Sequence, residues 1–279
     1  MRGAPVVSVC AVVSVCALAG CDVLFGLTYV PERDAASDGV ASDAFVVPHC
    51  GNMVLEAPVQ ISELVGRVLS DPELRNDQLE MLWEANGAIY RASRASVLDM
   101  FVADPAPISV DDPVAADESP ELDLDGAMLA FVSNRGGAGN RAYYATRDGD
   151  GEWSAAMLVP GLETTPVNWL DLSYDGLIMY YVSGSLHQVT RQAPMDPFGG
   201  DLVIGLGIES PTVSADALEL YYRGWNGSAP EIRYARRTTI SSSFPTGTAV
   251  LAGFYDPDLT PDGKRVILEG PFVAARTCQ

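Results

Sequence analysis

The chain has 279 residues, of which 48% are hydrophobic, so it is long enough and apolar enough to bury a large core. Lys and Arg total 17 against 37 Asp and Glu, which gives a formal net charge of -20 at pH 7. Phosphate backbones and anionic lipid surfaces repel such a chain, so nucleic acid and peripheral lipid are excluded as expected partners, and cationic partners are favoured.

The first twenty residues have the features of an export signal. Arg2 precedes an apolar stretch that is short for a membrane-spanning helix, and small residues precede Cys21. The sequence Leu18-Ala19-Gly20-Cys21 resembles the bacterial lipoprotein signal, which implies cleavage before Cys21 and lipidation of that cysteine. The alternative is an ordinary cleaved signal in which Cys21 is incidental. We therefore expect residues 1–20 to be a signal peptide and the protein to lie in the bacterial cell envelope, lipid-anchored to a membrane, with its folded part in the periplasm or at the cell surface.

The segment that follows, residues 21–48, reads as a lipid-anchored, flexible acidic linker, since Ala, Ser, Asp and Gly recur there without a period of 2 or 3.6. The folded part, residues 49–279, then retains two cysteines, Cys50 and Cys278. Export into an oxidising compartment favours a disulfide between them, which would join the two ends of the domain. The alternative is a pair of unrelated thiols.

From residue 71 a pattern of 41 to 50 residues occurs five times. The copies begin as DPELRND at 71, SPELDLDG at 119, WLDLSYDG at 169, SPTVSAD at 210 and DPDLTPDG at 256. Each copy carries one turn acid: Asp77, Asp125, Asp175, Asp216 and Asp262. Because Asp is favoured in turns for its hydrogen bond to the local backbone, we interpret these acids as turn-forming rather than calcium-binding.

Strand-like runs follow each turn. Apolar, aromatic and β-branched runs such as MLAFVS and LIMYYVS come first, and a third element such as RAYYATR ends on arginine in every copy. The repeated arginines are Arg94, Arg147, Arg191, Arg237 and Arg276. We interpret them as structural groups that hydrogen-bond or pair with a neighbouring repeat; the alternative is a basic ring that binds an anionic partner. A fourth, looser element has a large apolar residue, then Pro or Gly, then a valine-type run.

Four short strands per repeat, with an Asp-Gly hairpin between the first two, predict one blade of a β-propeller. These residues resemble the WD-repeat-like propeller family with a Ser-Pro-Asp-Gly turn, of the TolB type, over residues 52–279. The resemblance implies an all-β fold and is weak for function, because this architecture hosts many functions. Repeats one and four depart from the pattern at Asn76-Asp77-Gln78 and Asp216-Ala217, and repeat three lacks the proline, so altered turns are expected there.

The fifth repeat contains only three strands and ends at Arg276, while residues 52–64 read as the missing fourth strand. We therefore expect a five-bladed β-propeller closed by an N-terminal outer strand. Closure matters because an open fan of sheets would expose strand edges to aggregation. The alternative is six blades, if the linker contains another one.

The chemistry-bearing residues are few. The two histidines, His49 and His187, have no spacing to a cysteine or carboxylate that a metal site would require, and neither a Gly-x-Ser-x-Gly nucleophile motif nor a phosphate-binding glycine loop occurs. We therefore expect no enzyme activity, no catalytic residue, no metal and no cofactor. Trp225, placed in a Gly-rich loop between the second and third strands of repeat four, is a candidate partner-binding residue.

These features together predict a monomeric, non-catalytic protein-binding or scaffolding module. Its expected partner is another envelope protein, and its lipid anchor would hold it at the membrane. The alternative is a propeller-type hydrolase or a carbohydrate-binding protein that uses the central channel, which requires acids that converge in the channel.

Overall fold

The computed structural model describes residues 53–149 and 151–278, which form five antiparallel sheets arranged as the blades of a β-propeller. The innermost strands, which adjoin one another around the central channel, are β3 (Ser70–Leu74), β7 (Asp117–Leu122), β11 (Trp169–Leu172), β15 (Glu209–Val213) and β19 (Asp258–Leu259). The second strands are β4 (Glu80–Ala85), β8 (Met128–Ser133), β12 (Ile178–Val182), β16 (Glu219–Asn226) and β20 (Arg265–Leu268). The third strands are β5 (Ala88–Ser93), β9 (Arg141–Thr146), β13 (Ser185–Thr190), β17 (Ala229–Arg236) and β21 (Phe272–Cys278). The fourth strands of blades 1 to 4 are β6 (Val102–Ala103), β10 (Met157–Leu158), β14 (Gly199–Leu206) and β18 (Thr248–Ala252).

Blade 5 takes its outer strand from the other end of the chain. Strand β1 (Met53–Leu55) pairs antiparallel with the end of β21, so that Val54 lies opposite Thr277, and β2 (Val59–Gln60) pairs with the start of β21. The prediction of five blades closed by an N-terminal strand is therefore confirmed. The segment is not one continuous strand, because it ends in a short 3₁₀ helix at Ser62–Leu64.

The turns between first and second strands have the same geometry in all five blades. In each, a backbone N–H donates to the carbonyl three residues before it, and the donor residue is left-handed. These residues are Gln78, Gly126, Gly176, Ala217 and Gly263, with φ between 61° and 67°. The expectation of altered turns in repeats one, three and four is therefore wrong. Gln78 and Ala217 tolerate a conformation that disfavours a Cβ because the preceding Asp side chain accepts the next N–H, at 2.9 Å for Leu79 and 3.1 Å for Leu218.

The hydrophobic core lies between the blades rather than at the centre of the ring. Five apolar clusters each draw on two successive blades, including the pair formed by blade 5 and blade 1. Small residues in the third strands let the sheets approach, since all five are buried: Ala92, Ala145, Val189, Ala235 and Ala274. Each sheet thus buries both faces against its neighbours, which leaves the channel to polar side chains.

The two faces of the ring carry different connections. The turns that bear the repeated acids join first to second strands on one face, which we call the turn face. The starts of the innermost strands and the turns between second and third strands lie on the opposite face, the mouth face. Across residues 53–149 and 151–278, no helix has both the length and the hydropathy needed to cross a membrane.

Candidate functional site

One side chain from each innermost strand points into the channel at the same level. These five residues, which we call the channel ring, are Glu73, Glu121, Asp171, Thr212 and Asp258, and they line one common cavity. The ring arises because each side chain occupies the same position of its repeat, immediately before the last apolar residue of the strand. The repeat pattern did not lead us to predict the channel ring, although its four acids lie in the first residues of repeats one, two, three and five.

Most members of the channel ring accept a hydrogen bond from the backbone of the next blade. Glu73 accepts the N–H of Leu122 at 3.3 Å, and Asp171 accepts that of Val213 at 2.7 Å. The two remaining bonds run from Leu259 N–H to Thr212 Oγ1, at 3.2 Å, and from Leu74 N–H to Asp258, at 3.3 Å. The last of these connects blade 5 to blade 1, so the ring carries hydrogen bonds across the point where the propeller closes.

The acids of the channel ring have higher pKa values than acids at the protein surface. Burial, reinforced by the neighbouring carboxylates, raises the pKa of Glu73, Glu121 and Asp258 well above the usual range, and burial raises the pKa of Asp171 to about 7. Part of the ring is therefore neutral at neutral pH.

Little space remains beside the channel ring. The cavity there has a volume of about 10 Å³, roughly what one water molecule needs. Among the residues that the structure describes, no three His, Cys, Asp or Glu side chains are placed to hold a metal ion. The acids converge, but as a hydrogen-bonded belt that fastens the blades to one another.

Above the ring, on the mouth face, four of the five blades have a strained residue at or near the start of the innermost strand, two positions before the residue of the channel ring. The left-handed residues are Asp71, Ser119, Ser210 and Asp256, with φ between 43° and 49°, and a proline follows each of them. This backbone conformation is costly for residues with a Cβ, and more so before proline. Blade 3 differs, because Trp169 occupies the equivalent position and Leu170 follows it.

The strained residues lie among further carboxylates, and we call the group of Asp71, Glu84, Glu118, Asp256 and Glu269 the acidic mouth. Burial and the neighbouring Asp256 raise the pKa of Asp71, even though Ser210 donates a hydrogen bond to it at 3.2 Å. Burial, again with Asp256 next, raises the pKa of Glu269 to about 7. The groups repel one another, so the mouth concentrates negative charge.

One arginine and three aromatic rings border the acidic mouth. Arg223 lies 2.9 Å from Glu209 and 3.5 Å from Asp256. Its guanidinium carbon lies near three ring centroids, those of Trp169 at 5.1 Å, Tyr255 at 5.8 Å and Trp225 at 6.0 Å. These three rings form what we call the aromatic wall.

Trp225 is the exposed end of this wall. Its side chain is 51% exposed, and its indole N–H donates to Glu209 at 3.2 Å. The prediction that Trp225 lies in a loop is wrong, because β16 extends to Asn226 and the hairpin turn is only Gly227-Ser228. A strand holds the ring, so its direction is fixed by the sheet.

The repeated arginines lie toward the turn face, and their partners are backbone carbonyls and aromatic rings of the propeller itself. Each donates to the carbonyl of the left-handed residue in its own blade's turn, at 2.8 Å for Arg94, 2.8 Å for Arg147, 2.7 Å for Arg191 and 2.7 Å for Arg237, and likewise for Arg276. In blades 1 to 4 each also stacks over the aromatic residue that opens the fourth element, at 4.2 to 4.5 Å. These contacts hold each arginine against the turn of its own blade.

The turn acids make local contacts of the same kind. Oδ1 of Asp77, Asp175, Asp216 and Asp262 accepts the N–H two residues further on. In the second blade Asp123, two residues before Asp125, accepts the backbone N–H of Met128 at 3.0 Å. His187 lies 2.8 Å from Asp201 and stacks on Tyr181.

The predicted lipidation site, and one of the two cysteines of the predicted disulfide, lie outside the residues that the structure describes. Cys21, Cys50 and His49 lie outside the described residues, and the backbone of Cys278 lies opposite Met53 in the last blade. The signal peptide, the linker and the Cys50–Cys278 disulfide remain predictions.

No protein-family model matches the chain, and no curated protein matches it. Among solved structures, TolB from Acinetobacter baumannii is 15% identical over 76% of this chain, with a TM-score of 0.40, and the chain spans 44% of that protein's length. The gluconolactonase XC5397 from Xanthomonas campestris is 11% identical over 83% of this chain and 99% of its own, with a TM-score of 0.45. The calcium-binding protein regucalcin from Agrobacterium tumefaciens is 14% identical over 72% of this chain and 74% of its own, with a TM-score of 0.46. The chain is a five-bladed β-propeller, and likenesses at this level assign it no activity.

Proposed function

We propose that this protein is a non-catalytic binding module of the bacterial cell envelope, held at a membrane by a lipid on Cys21, and that its propeller binds a positively charged segment of another envelope protein at the acidic mouth. The observation that carries the proposal is the arrangement on the mouth face. There an exposed tryptophan, Trp225, borders a group of carboxylates that raise one another's pKa.

Charge favours a cationic partner. The acidic mouth contains five carboxylates and faces one nearby guanidinium, that of Arg223, which already pairs with Glu209 and Asp256. A Lys or Arg side chain that enters the mouth would relieve the repulsion between Asp71 and Asp256. It would also stabilise their charged forms.

The aromatic wall supplies the apolar part of such an interface. Exposed tryptophans contribute strongly to protein binding because they bury a large area at low entropic cost, and they attract cations over their faces. Trp225 is held in a strand and by Glu209, so little ordering is required when a partner binds.

The mouth can be tested with synthetic peptides. We expect a Lys- and Arg-bearing peptide to bind the purified protein and to quench tryptophan fluorescence, with an affinity that falls as salt rises. Trp225→Ala should weaken binding by about tenfold, the effect of losing about 1.4 kcal/mol. A peptide of the same length with Glu in place of the basic residues is the control, and equal binding of both peptides would contradict the proposal.

Partner capture tests the same surface in the envelope. A photo-crosslinking residue at position 225 should give a discrete adduct that polylysine competes away, whereas the same residue at Leu206, which is 79% exposed on the outer strand of blade 3, should not. If crosslinking from position 225 and from position 206 gives the same adducts, the acidic mouth is not the binding surface.

A hydrolase or carbohydrate-binding function is the second candidate, because the channel ring does bring acids together. The space beside them, about 10 Å³, argues against a sugar or lactone substrate at that level. A glycosidase and lactonase screen with metal analysis decides between the two. Turnover that Asp171→Asn abolishes would support the enzyme, and its absence would leave the binding module.

A further inference from the structure

The five junctions between successive blades can be compared at one equivalent contact. At each junction the repeated arginine of one blade extends toward the preceding blade, near the residue three positions after that blade's turn acid. Those residues are Glu80, Met128, Ile178, Glu219 and Arg265. Because the backbone repeats, differences in side-chain chemistry at this position stand out.

At four junctions the arginine finds a partner on the preceding blade. Arg147 donates two hydrogen bonds to Glu80, one of them at 2.9 Å, and Arg276 donates to Glu219 at 2.5 Å. The other two contacts are those of Arg191 with Met128 Sδ, at 3.5 Å, and of Arg237 with Gln188, at 2.8 Å. Each of these arginines therefore meets an acceptor.

The junction between blade 5 and blade 1, which we call the closing junction, breaks this pattern. There Arg94 and Arg265, both half-buried, line the same cavity. Nη2 of Arg94 and Nη1 of Arg265 are buried, and neither has a hydrogen-bond partner in the described part of the chain. Burial lowers the pKa of both arginines, so each would gain from a nearby negative charge.

Two acids near the closing junction act on these arginines without bonding to them, since the charge of Glu63 on Arg94 and that of Asp262 on Arg265 partly offset the effect of burial on the pKa. The Glu63 carboxylate accepts the Ser62 hydroxyl at 2.9 Å and the Phe101 N–H at 3.5 Å. Oδ1 of Asp262 accepts the Thr260 hydroxyl at 2.8 Å and the Lys264 N–H at 3.0 Å, while its Oδ2 is buried without a hydrogen-bond partner among the described residues. Within residues 53–149 and 151–278, neither acid forms an ion pair with Arg94 or Arg265.

The shape and lining of the cavity indicate what kind of anion fits. Its volume is about 30 Å³, room for roughly two water molecules or a group of similar size. Apart from the two arginines, Glu63 and Thr260, the walls are apolar: Ile61, Leu74, Met81, Phe101, Ile267 and Val273. A carboxylate that carries no more than a methyl group satisfies both parts of this lining within that volume.

We propose that the closing junction is a binding site for a carboxylate of the size of acetate, which lies between Arg94 and Arg265 and places its methyl group against Phe101 and Ile267. Guanidinium groups suit this ligand because their parallel N–H donors match the two carboxylate oxygens. The bound anion performs at this junction the role that Glu80 and Glu219 perform at two others. It links the last blade to the first.

Ligand-dependent unfolding of the purified protein tests the site. Sodium acetate should raise the melting temperature saturably, by about 2–4 °C for each kcal/mol of binding free energy. Acetamide, the neutral analogue, and sodium chloride at the same ionic strength should not. An equal rise with either of them would overturn the carboxylate assignment, and so would the absence of a rise with acetate.

Substitutions at Arg265 locate the effect. Arg265→Glu recreates the contact that Arg147 makes with Glu80, so it should raise the melting temperature without ligand and abolish the acetate response. Arg265→Met, which reproduces the side chain that Met128 places at the equivalent position, should abolish the response without adding an ion pair and serves if the first variant folds poorly. Arg91→Met removes an arginine that pairs with Asp104 at the surface of the same blade and should leave the response intact. A response retained in both Arg265 variants would overturn the proposal.

Discussion

The junction between blades 1 and 2 and the closing junction are built from the same repeat, yet different side chains face each other in them: an arginine and a glutamate at the first, two arginines at the second. At the first, the side chains of Arg147 and Glu80 are 0% and 3% exposed and form a buried ion pair beneath Trp153. At the second, the equivalent position holds Arg265, so that two arginines share one cavity. The repeat thus specifies where backbones and side chains lie, while single substitutions decide which junctions hold themselves together.

The largest expected effect comes from breaking the first of these junctions. Glu80→Ala leaves Arg147 buried without its counter-charge, and we expect a loss of about 3–5 kcal/mol of unfolding free energy, measured by urea denaturation. The matched change, Arg265→Ala, removes one of two unpaired charges at the closing junction and should cost little or increase stability. Equal losses from the two variants would show that the junctions do not differ in the way their contacts indicate.

The second effect concerns the channel ring and pH. The native pKa of Asp171 is about 7, against an ordinary value of 3.8, so the native state binds more protons than the unfolded chain and stability falls as pH rises through this interval. Between about pH 5 and pH 8, one carboxyl group with such a pKa accounts for a loss of about 3 kcal/mol, and Asp171 shares this titration with the other acids of the channel ring. Denaturant titrations at several pH values measure this slope.

Asn at position 171 should reduce the slope of stability against pH, because it keeps an acceptor for the Val213 N–H and removes one ionisation. Part of the slope should remain, since burial also raises the pKa of Glu73, Glu121, Asp258 and Glu269. Asp148→Asn, at an exposed acid outside the channel, is the control and should retain the slope. An unchanged slope in Asp171→Asn would mean that the pH dependence arises elsewhere, for example in the acidic mouth.

The sequence was sufficient to predict the blades and the way they close. The Asp turns and the strand runs that follow them recur at intervals that only a propeller explains, and counting strands identified residues 52–64 as the outer strand of blade 5. Backbone arrangement could be predicted because hydrophobic pattern and turn chemistry act locally.

The channel ring and the closing junction could not be predicted as readily, since both depend on which residues meet across blades. Glu73 and Asp258 are far apart in sequence, and only closure of the ring brings them to one cavity. The sequence does contain a sign of the closing junction, because the run RVILEG has Arg265 where the other repeats have Glu, Met or Ile. That difference predicts two facing arginines only once Arg94 of the first repeat is known to lie opposite Arg265.

A smaller effect is expected where the chain closes the ring. Leu55, in β1, is 6% exposed and packs in the cluster between blades 4 and 5, so Leu55→Ala should cost about 2 kcal/mol, the low end for buried leucines because the site lies near an edge. Val59, in β2, is 44% exposed, and Val59→Ala should change stability by less than about 0.5 kcal/mol. If the two variants unfold at the same denaturant concentration, the buried part of the outer strand does not secure the closure.

The smallest effect tests strain at the mouth, where blade 3 differs from its neighbours. Ser119 has φ 49° before a proline, and its side chain makes no hydrogen bond with the described residues. Ser119→Gly should therefore stabilise the protein by about 0.5–1 kcal/mol, because relief of the left-handed conformation exceeds the entropy that glycine adds to the unfolded chain. The same change at Trp169, which has no such conformation and packs on Arg223, should be destabilising. A loss of stability in Ser119→Gly would indicate that contacts with the surrounding structure, rather than backbone strain, determine the energy of this position. Peptide binding measured in the same variant would show whether the strained backbone contributes to recognition at the acidic mouth.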